Sequence, residues 1–435
     1  MRKIRLAIVG CGRMGHRHLA GLVELDRSGL DHFELIGACD PVSGNADSLS
    51  QQAKECFEER PTVVRNLEEL AALGVESVDI TTTPSDHHTL AIEALQRRWH
   101  VMVEKPMALT VRACNLIRKA AEQSNCVFSV AENYRRDPIN RLAKALLQAE
   151  VIGTPRLLLH NSISGGDRIM ITVWRHQKRS AGMLVDMGVH YADMMEYLLG
   201  EVSGVYAQTR LHERIRKDPR AGGSARGPMR IYQRWQRQMP AEFEATAEDA
   251  AYATILFRNG VVGQYIEDHA GHGQGLWRRT IFGSKGSLEL PPDRSGRPIV
   301  LKLDGEEPVG DENILDLVPD FRLDSATAKL FGGERLWRYN FPAEGDSKNI
   351  AMEYADFAAA ILGRNAPEVD AYQGARAVAL CYAILESASL GRFVTIDEVM
   401  CEEVDAYQRE INESLGLEKA SQQANSVSGI VERER

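Results

Sequence analysis

The stretch Ile4-Arg-Leu-Ala-Ile-Val9-Gly10-Cys11-Gly12-Arg13-Met14-Gly15 decides how the first third of the chain is read. Ile4 to Val9 is a short, nearly continuous apolar run, the pattern of a strand buried on both faces of a parallel sheet. The six residues after it form a G-x-G-x-x-G, and Leu19, Leu22 and Val23 follow at helical spacing. Strand, glycine loop and helix in this order make a cradle for a dinucleotide. Gly10 makes the tight turn, Gly12 lets a pyrophosphate touch the backbone, and Gly15 lets helix and strand pack closely. The start of the helix offers unpaired N–H groups and the positive dipole end to phosphates. Arg13 and Met14 lie inside this loop and are counted among its contacts.

Working outward, Phe33 to Cys39 reads as a second strand and ends in Asp40. An acid there can accept hydrogen bonds from a ribose diol, although a turn residue before Pro41 would look the same. A 2′-phosphate would be repelled by Asp40 and no arginine follows it directly, so NAD is expected over NADP. Further βα units follow. Val78 to Thr81 is a strand, and Thr83-Pro84-Ser85-Asp86 turns into a helix from His87 to Arg97. His100 to Val103 is a strand closed by Glu104-Lys105-Pro106, followed by a helix at Thr110 to Ser124 and a strand at Val127 to Ala131. This alternation predicts an α/β, doubly wound parallel sheet of Rossmann type. Ligands bind at the carboxyl ends of such strands. Asp40, Thr82, Thr83, Pro84, Glu104 and Lys105 all fall at such ends.

Composition narrows the classes. A chain of 435 residues with 44% apolar and 26% charged residues has room for two ordinary domains. The net charge of −9 argues against a nucleic-acid binder, and no apolar run is long enough to span a bilayer. The opening Met1-Arg-Lys-Ile-Arg-Leu-Ala-Ile-Val-Gly10 has basic residues before an apolar run, as a signal peptide does. The run is short and leads into Gly10 without a cleavage site, so it reads as a strand. Seven cysteines without a C-x-x-C pair point to reduced thiols and a cytoplasmic home.

After about Asn133 the pattern changes. Helix Ile139 to Gln148 gives way to strands, among them Tyr252 to Phe257 and Val261 to Ile266, joined by Arg258-Asn259-Gly260. Asn-Gly between two such runs is a hairpin signal. Ile281 to Leu290 reads as a second hairpin, so an α+β domain with a large, mostly antiparallel open sheet is expected. Tyr354 to Leu362 and Gly374 to Leu390 are amphipathic helices that pack back on the first domain, and the tail past Leu417 reads as disordered. The expected divisions are 1–132, 133–346, 347–400 and a helical then disordered 401–435. Between the halves lies Asp186-Met-Gly-Val-His190. On a helix this spacing puts both side chains on one face, where a carboxylate raises the basicity of an imidazole and fixes its tautomer. The pair then suits a general base that removes a proton from an alcohol. A surface pair or a satisfied core pair has the same spacing.

In sequence order these features resemble the Gfo/Idh/MocA oxidoreductase family, which includes glucose–fructose oxidoreductase and inositol dehydrogenases. The resemblance rests on the glycine loop at 10–15, Thr83-Pro-Ser-Asp-His-His88, Glu104-Lys-Pro106 and Trp174-Arg175. It continues through Asp186-x-Gly-x-His190 with Asp193, Asn259-Gly260 and Gly283-Ser-Lys-Gly286. It implies hydride transfer between nicotinamide and a sugar or polyol carbon, with no metal. It implies that His190 takes the hydroxyl proton and that Asp186 holds His190. Lys105 would bond the reacting oxygen, while Asn133, Arg135, Trp174 and Arg175 line the substrate side. Tyr134 is a further candidate there, and His88 is placed at the cofactor. It also implies a homodimer or homotetramer through the open sheet. Ala181 stands where glycine is usual. Residues 211–244 form an arginine-rich insertion, read as a solvated or oligomer-packing arm or as a lid toward an acidic substrate. A helix from Met229 to Met239 is expected in it. His269 and His272 are taken as substrate-pocket residues, His16 and His18 as surface or packing residues. Two other functions stay open: a redox-neutral enzyme that oxidises transiently before elimination or glycoside cleavage, and a ligand-sensing regulator without catalysis.

Overall fold

A computed structural model describes residues 2–57, 60–219, 239–341 and 345–418. Six parallel strands build the first half: β1 (Ile4–Val9), β2 (Phe33–Cys39), β3 (Thr62–Val64), β4 (Ser77–Ile80), β5 (His100–Glu104) and β6 (Phe128–Ala131), in the order β3-β2-β1-β4-β5-β6. Every residue of β4 and β6 is buried, the polar Ser77, Asp79 and Ser129 included, as in a parallel sheet covered on both faces. Helices α1 (Arg13–Arg27), α2 (Ser43–Cys56), α3 (Leu67–Ala71), α4 (Pro84–Gln96) and α5 (Val111–Ser124) make the crossovers. Thr110 caps α5 by accepting the Ala113 amide, and Asn125 in the left-handed region ends it.

Helix α6 (Pro138–Gln148) leads into the second half, where eight strands form one mixed sheet. These are β7 (Pro155–Gly165), β8 (Val202–Arg210), β11 (Ala250–Phe257), β12 (Val262–Gly271), β13 (Leu276–Gly283), β14 (Gly286–Leu290), β15 (Val300–Leu303) and β16 (Val394–Thr395). Their order is β15-β14-β13-β7-β12-β11-β8-β16, and only β7 and β12 run parallel. The Rossmann-type sheet and the mostly antiparallel sheet expected from the sequence are both formed. Asn259-Gly260 makes the β11–β12 turn with Gly260 at φ +89°, and Ser284-Lys285 joins β13 to β14.

The stretch around Asp186 is not one helix. It is α7 (Met183–Asp186), a break at Met187, and α8 (Gly188–Leu199). Between β8 and β11, β9 (Ile215–Lys217) pairs antiparallel with β10 (Glu242–Glu244) at the base of the insertion. The expected helix Met229 to Met239 lies almost wholly outside the described residues, as does the tail past Leu417. After α9 (Ser325–Phe331), helix α10 (Gly345–Ile361) packs along α1, and α11 (Ala371–Leu390) lies against α5, α8 and β8. Two short helices, α12 (Ile396–Met400) and α13 (Arg409–Ser414), close the described chain. One face of the parallel sheet shares a core with α1 and α10, including Leu19, Met102 and Phe357. The other continues through α11 into the eight-stranded sheet. Strands β8, β11, β13 and β15 leave Tyr206, Leu256, Leu276 and Val300 exposed. Among the described residues, no helix is long and apolar enough to cross a membrane.

Candidate active site

The glycine loop is packed against backbone at two of its three glycines. Gly10 has φ +98°, and a Cβ there would lie 2.7 Å from the Thr82 amide nitrogen. A Cβ on Gly15 would lie 2.4 Å from the Gly10 carbonyl oxygen. Gly12 differs. Nothing lies within 4 Å of the place its Cβ would take, and it is the N-cap of α1 with no side chain bonded across the helix start. The first-turn amides, Arg13 and Met14 included, therefore face open space with the helix dipole behind them, a fit for a diphosphate. Asp40 stands beside this space. Its Oδ2 accepts the Cys11 amide at 2.9 Å and its Oδ1 the Val42 amide at 2.8 Å. Open glycine, uncapped helix and strand-end acid together fit a dinucleotide.

The end of β4 borders the same loop, where the Thr81 hydroxyl donates to the Gly10 carbonyl at 2.6 Å. Thr82 and Thr83 continue the edge, and Pro84 opens α4. His87 braces this corner: its Nδ1 is 2.9 Å from the Pro106 carbonyl and its Nε2 is 3.3 Å from that of Thr82. His88 is buried and its Nδ1 has no protein partner.

At the carboxyl end of β5, Lys105 donates to the Asp186 carbonyl at 2.7 Å and to Asp186 Oδ1 at 3.3 Å. Arg175 Nε donates to Asp186 Oδ2 at 2.7 Å, its Nη1 to Thr172 at 2.8 Å, and its guanidinium lies 4.2 Å over the Trp174 ring. Burial pushes the Asp186 carboxyl up, but Arg175 and Lys105 outweigh it and hold the group well below the usual carboxylate range. Ala181, just before α7, is held at φ +76°, a conformation that costs about 1–2 kcal/mol for a residue with a Cβ.

His190 points elsewhere than expected. Its Nδ1 is 2.8 Å from both oxygens of Glu132, at the end of β6, and not bonded to Asp186. The break at Met187 explains this, because it turns the first turn of α8 away from α7. Tyr134 stacks on the His190 ring at 4.0 Å with 3° between planes, and the Tyr134 amide donates to Glu132 at 2.9 Å. Burial lowers the His190 pKa well below its ordinary value and pushes Glu132 up to about 7. With Nδ1–H given to Glu132, Nε2 carries the lone pair. Lys105 and Glu132 wall one small cavity with Val189 and Asp193. Glu132 was absent from the sequence-derived site. Its signal was its place: an acid one residue past a parallel strand, as Asp40 is past β2.

Several expected residues are engaged differently. Glu104 lies 3.2 Å from His18 Nε2, inside the protein, so its carboxylate turns from the cofactor loop into the core. Arg135 is buried against α8, where it forms a two-pronged pair with Asp193 and donates to the Glu368 carbonyl at 3.3 Å. It fastens α8 and borders a surface cleft with Lys144, Tyr197 and Arg376. Asn133 is buried with its Oδ1 unbonded. His18 is wholly buried, with Nδ1 2.9 Å from Asp79, while His16 bonds Gln52 at 2.5 Å. His269 pairs with Glu267 at 2.7 Å, and Gly188 leaves room for that carboxylate at the start of α8. His272 pairs with Glu213 at the surface and takes no part in this cluster. In the described base of the insertion, Arg216 is buried on Asp249 at 2.7 Å and on the Gly166 carbonyl at 2.7 Å. Of the insertion's other arginines, Arg214 lies exposed 3.9 Å from Glu244, and Arg220, Arg226, Arg230, Arg234 and Arg237 lie outside the described residues.

Two family models match the sequence. One, the oxidoreductase family NAD-binding Rossmann fold, covers residues 4–132, and the other, the oxidoreductase family C-terminal alpha/beta domain, covers 144–396. The chain therefore belongs to the Gfo/Idh/MocA oxidoreductases, and NAD is its cofactor. It is 25% identical over 432 residues to the levoglucosan dehydrogenase of Pseudarthrobacter phenanthrenivorans, covering 92% of this chain and 100% of that relative. It is 24% identical over 323 residues to the scyllo-inositol 2-dehydrogenase (NAD(+)) of Bacillus subtilis, covering 74% of this chain and 81% of that one. The fold is shared with levoglucosan dehydrogenase in complex with NADH and levoglucosan. The TM-score is 0.72 at 22% identity, over 91% of this chain and 100% of that one.

Proposed function

We propose that this enzyme oxidises a secondary alcohol carbon of a sugar, glycoside or cyclic polyol, with His190 as general base. The observation that carries the reading is the cluster at the ends of β5 and β6, beside the glycine loop. There Lys105 is fixed by Asp186, and His190 is fixed by Glu132 with its Nε2 left as acceptor. When bound, NAD+ supplies the hydride acceptor, held by Gly10 to Gly15, Asp40 and the Thr82–Pro84 edge.

Lysine has three N–H donors, and two of them go to Asp186. The third is free to bond the reacting oxygen and to stabilise negative charge there as the hydroxyl proton leaves. His190 Nε2 takes that proton. Asp186, kept ionised by Arg175, holds the lysine in place. Trp174, Arg175, Asn133 and Tyr134 are proposed to flank the ring of the substrate. A second copy of the chain is proposed to cover the outer face of the open sheet.

The test is a panel of levoglucosan, scyllo- and myo-inositol, free sugars, glycosides and acidic sugars, read both for NADH and for product. Turnover with a polyol and NADH formation support the reading. His190→Ala should abolish turnover while circular dichroism and NAD affinity stay as in the native protein. Product without net NADH would transfer the site to the redox-neutral alternative. No turnover with any polyol, in a protein that binds NAD, would overturn the reading.

A further inference from the structure

We propose that Glu132 is the positioning and proton-sharing partner of His190, so that the base of this enzyme is a Glu132–His190 pair held apart from the Lys105–Asp186 pair. The proposal rests on the reading of His190 as the base.

Three contacts build the pair. His190 Nδ1 is 2.8 Å from each Glu132 oxygen, the Tyr134 amide anchors the carboxylate at 2.9 Å, and the Tyr134 ring covers the imidazole at 4.0 Å. Glu132 is 3% exposed and His190 is 5% exposed, so no solvent competes for the bond. The other carboxylates around the pair have other partners or carry no charge. Asp186 is taken by Lys105 and Arg175, Asp193 by Arg135, and Glu104 by His18. Glu353, from α10, has no bonded oxygen, and burial raises its pKa to about 8, so it stays protonated near neutrality. The cations that act on the pair are Lys105, Arg135 and Arg294. Arg135 is neutralised by Asp193 and Arg294 by Asp346. Among the described residues, Glu132 is therefore the one carboxylate bonded to the imidazole.

The consequence is a division of labour. Before reaction the pair holds one proton, on Nδ1, and one negative charge, on Glu132. The substrate hydroxyl proton goes to Nε2, while the O–H electron pair stays on the oxygen. The Nδ1 proton is drawn toward Glu132, so the pair ends neutral and no isolated imidazolium forms in the buried site. Such a pair titrates as a unit. Its base form needs the carboxylate ionised, so oxidation should rise with pH through about 7 and level off above it. Removing the carboxylate charge leaves an imidazole whose pKa burial holds well below the ordinary histidine value. It is then deprotonated across neutral pH but a poor base.

The test uses the full chain with Glu132→Gln, which keeps the shape, and Glu132→Asp as the conservative rescue. Proteins labelled with ¹⁵N-histidine are titrated by NMR with and without NAD, and the His190 signals are assigned by His190→Gln. In the native protein the His190 nitrogens should report an ionisation near pH 7, and in Glu132→Gln that step should disappear or move to lower pH. An identical His190 titration in the two proteins overturns the proposal, and this readout needs no substrate. With an active polyol, Glu132→Gln should lower kcat by roughly 10²-fold with KM nearly unchanged. The acid limb of its pH–rate profile should move to lower pH, and Glu132→Asp should recover part of the rate and of the limb. A Glu132→Gln enzyme that keeps the native kcat and limb, or changes KM alone, overturns it. If His190 titrates as expected but no polyol turns over, the substrate reading fails and the pair stands.

Discussion

At the residue scale, the candidate cluster was half legible. Lys105, Asp186 and His190 were named from the sequence because strand ends and an i, i+4 acid–histidine spacing are patterns a sequence displays. The partner of His190 was not, because which carboxylate reaches an imidazole is settled by the turn at Met187 and by the stacking of Tyr134. Neither leaves a periodic trace. Separating the two pairs makes a prediction about Lys105. Replacing it by methionine keeps the volume of the side chain but removes two bonds to Asp186 and the donor for the reacting oxygen. Lys105→Met should lower kcat by about 10²–10³-fold, the loss that follows removal of one donor to a developing oxyanion. The titration of the His190–Glu132 pair should move to higher pH, since the Lys105 charge holds both groups down. A Lys105→Met enzyme with native kcat would remove the lysine from the chemistry.

At the scale of elements, the glycine loop was read correctly for a reason that is steric and local. Two of its glycines touch backbone, and only sequence can supply the missing Cβ. A methyl on Gly15 would press on the Gly10 carbonyl at 2.4 Å, so α1 must shift away from β1. Gly15→Ala should cost about 1–3 kcal/mol, as overpacking does, and should weaken NAD binding measured by calorimetry. Gly44, in α2, provides the contrast. It is exposed in a helix with open space at its Cβ. Gly44→Ala should stabilise by roughly 0.5–1 kcal/mol and leave NAD affinity unchanged. Equal losses in melting temperature for both variants would refute the steric account. The orientation of Glu104 was not legible, for the opposite reason. Its position at a strand end is visible in sequence, while the direction of its side chain depends on His18, eighty-six positions away.

At the scale of the whole molecule, the two sheets were legible in the order of strands and helices, but not what fastens α10 to the first of them. That fastening is a buried polar network. His18 of α1 bonds Asp79 of β4 at 2.9 Å and Glu104 of β5 at 3.2 Å, and Tyr354 of α10 donates to the same Asp79 oxygen. Burial opposes the charge on His18, but Asp79 and Glu104 outweigh it and raise its pKa to about 10. A histidine raised in this way contributes stability that is fully present below its unfolded pKa of about 6.5 and lost as pH rises through about 10. Glu104 moves the other way. Burial raises its pKa, but His18 more than reverses this, and its share is present above about pH 4.3 and lost as pH falls. The network should therefore hold α10 most firmly between these limits and release it on both sides. His18→Gln should cost roughly 3–5 kcal/mol near pH 6, as removing one partner of a buried charged group does. The gap in melting temperature between native and His18→Gln proteins should then narrow steadily toward about pH 10. Hydrogen exchange should locate the early opening in α10 and in the face of α1 that packs on it. A gap independent of pH would mean that His18 acts by volume alone and that the helix is held by apolar contacts such as that of its Phe357 with Phe33 of β2.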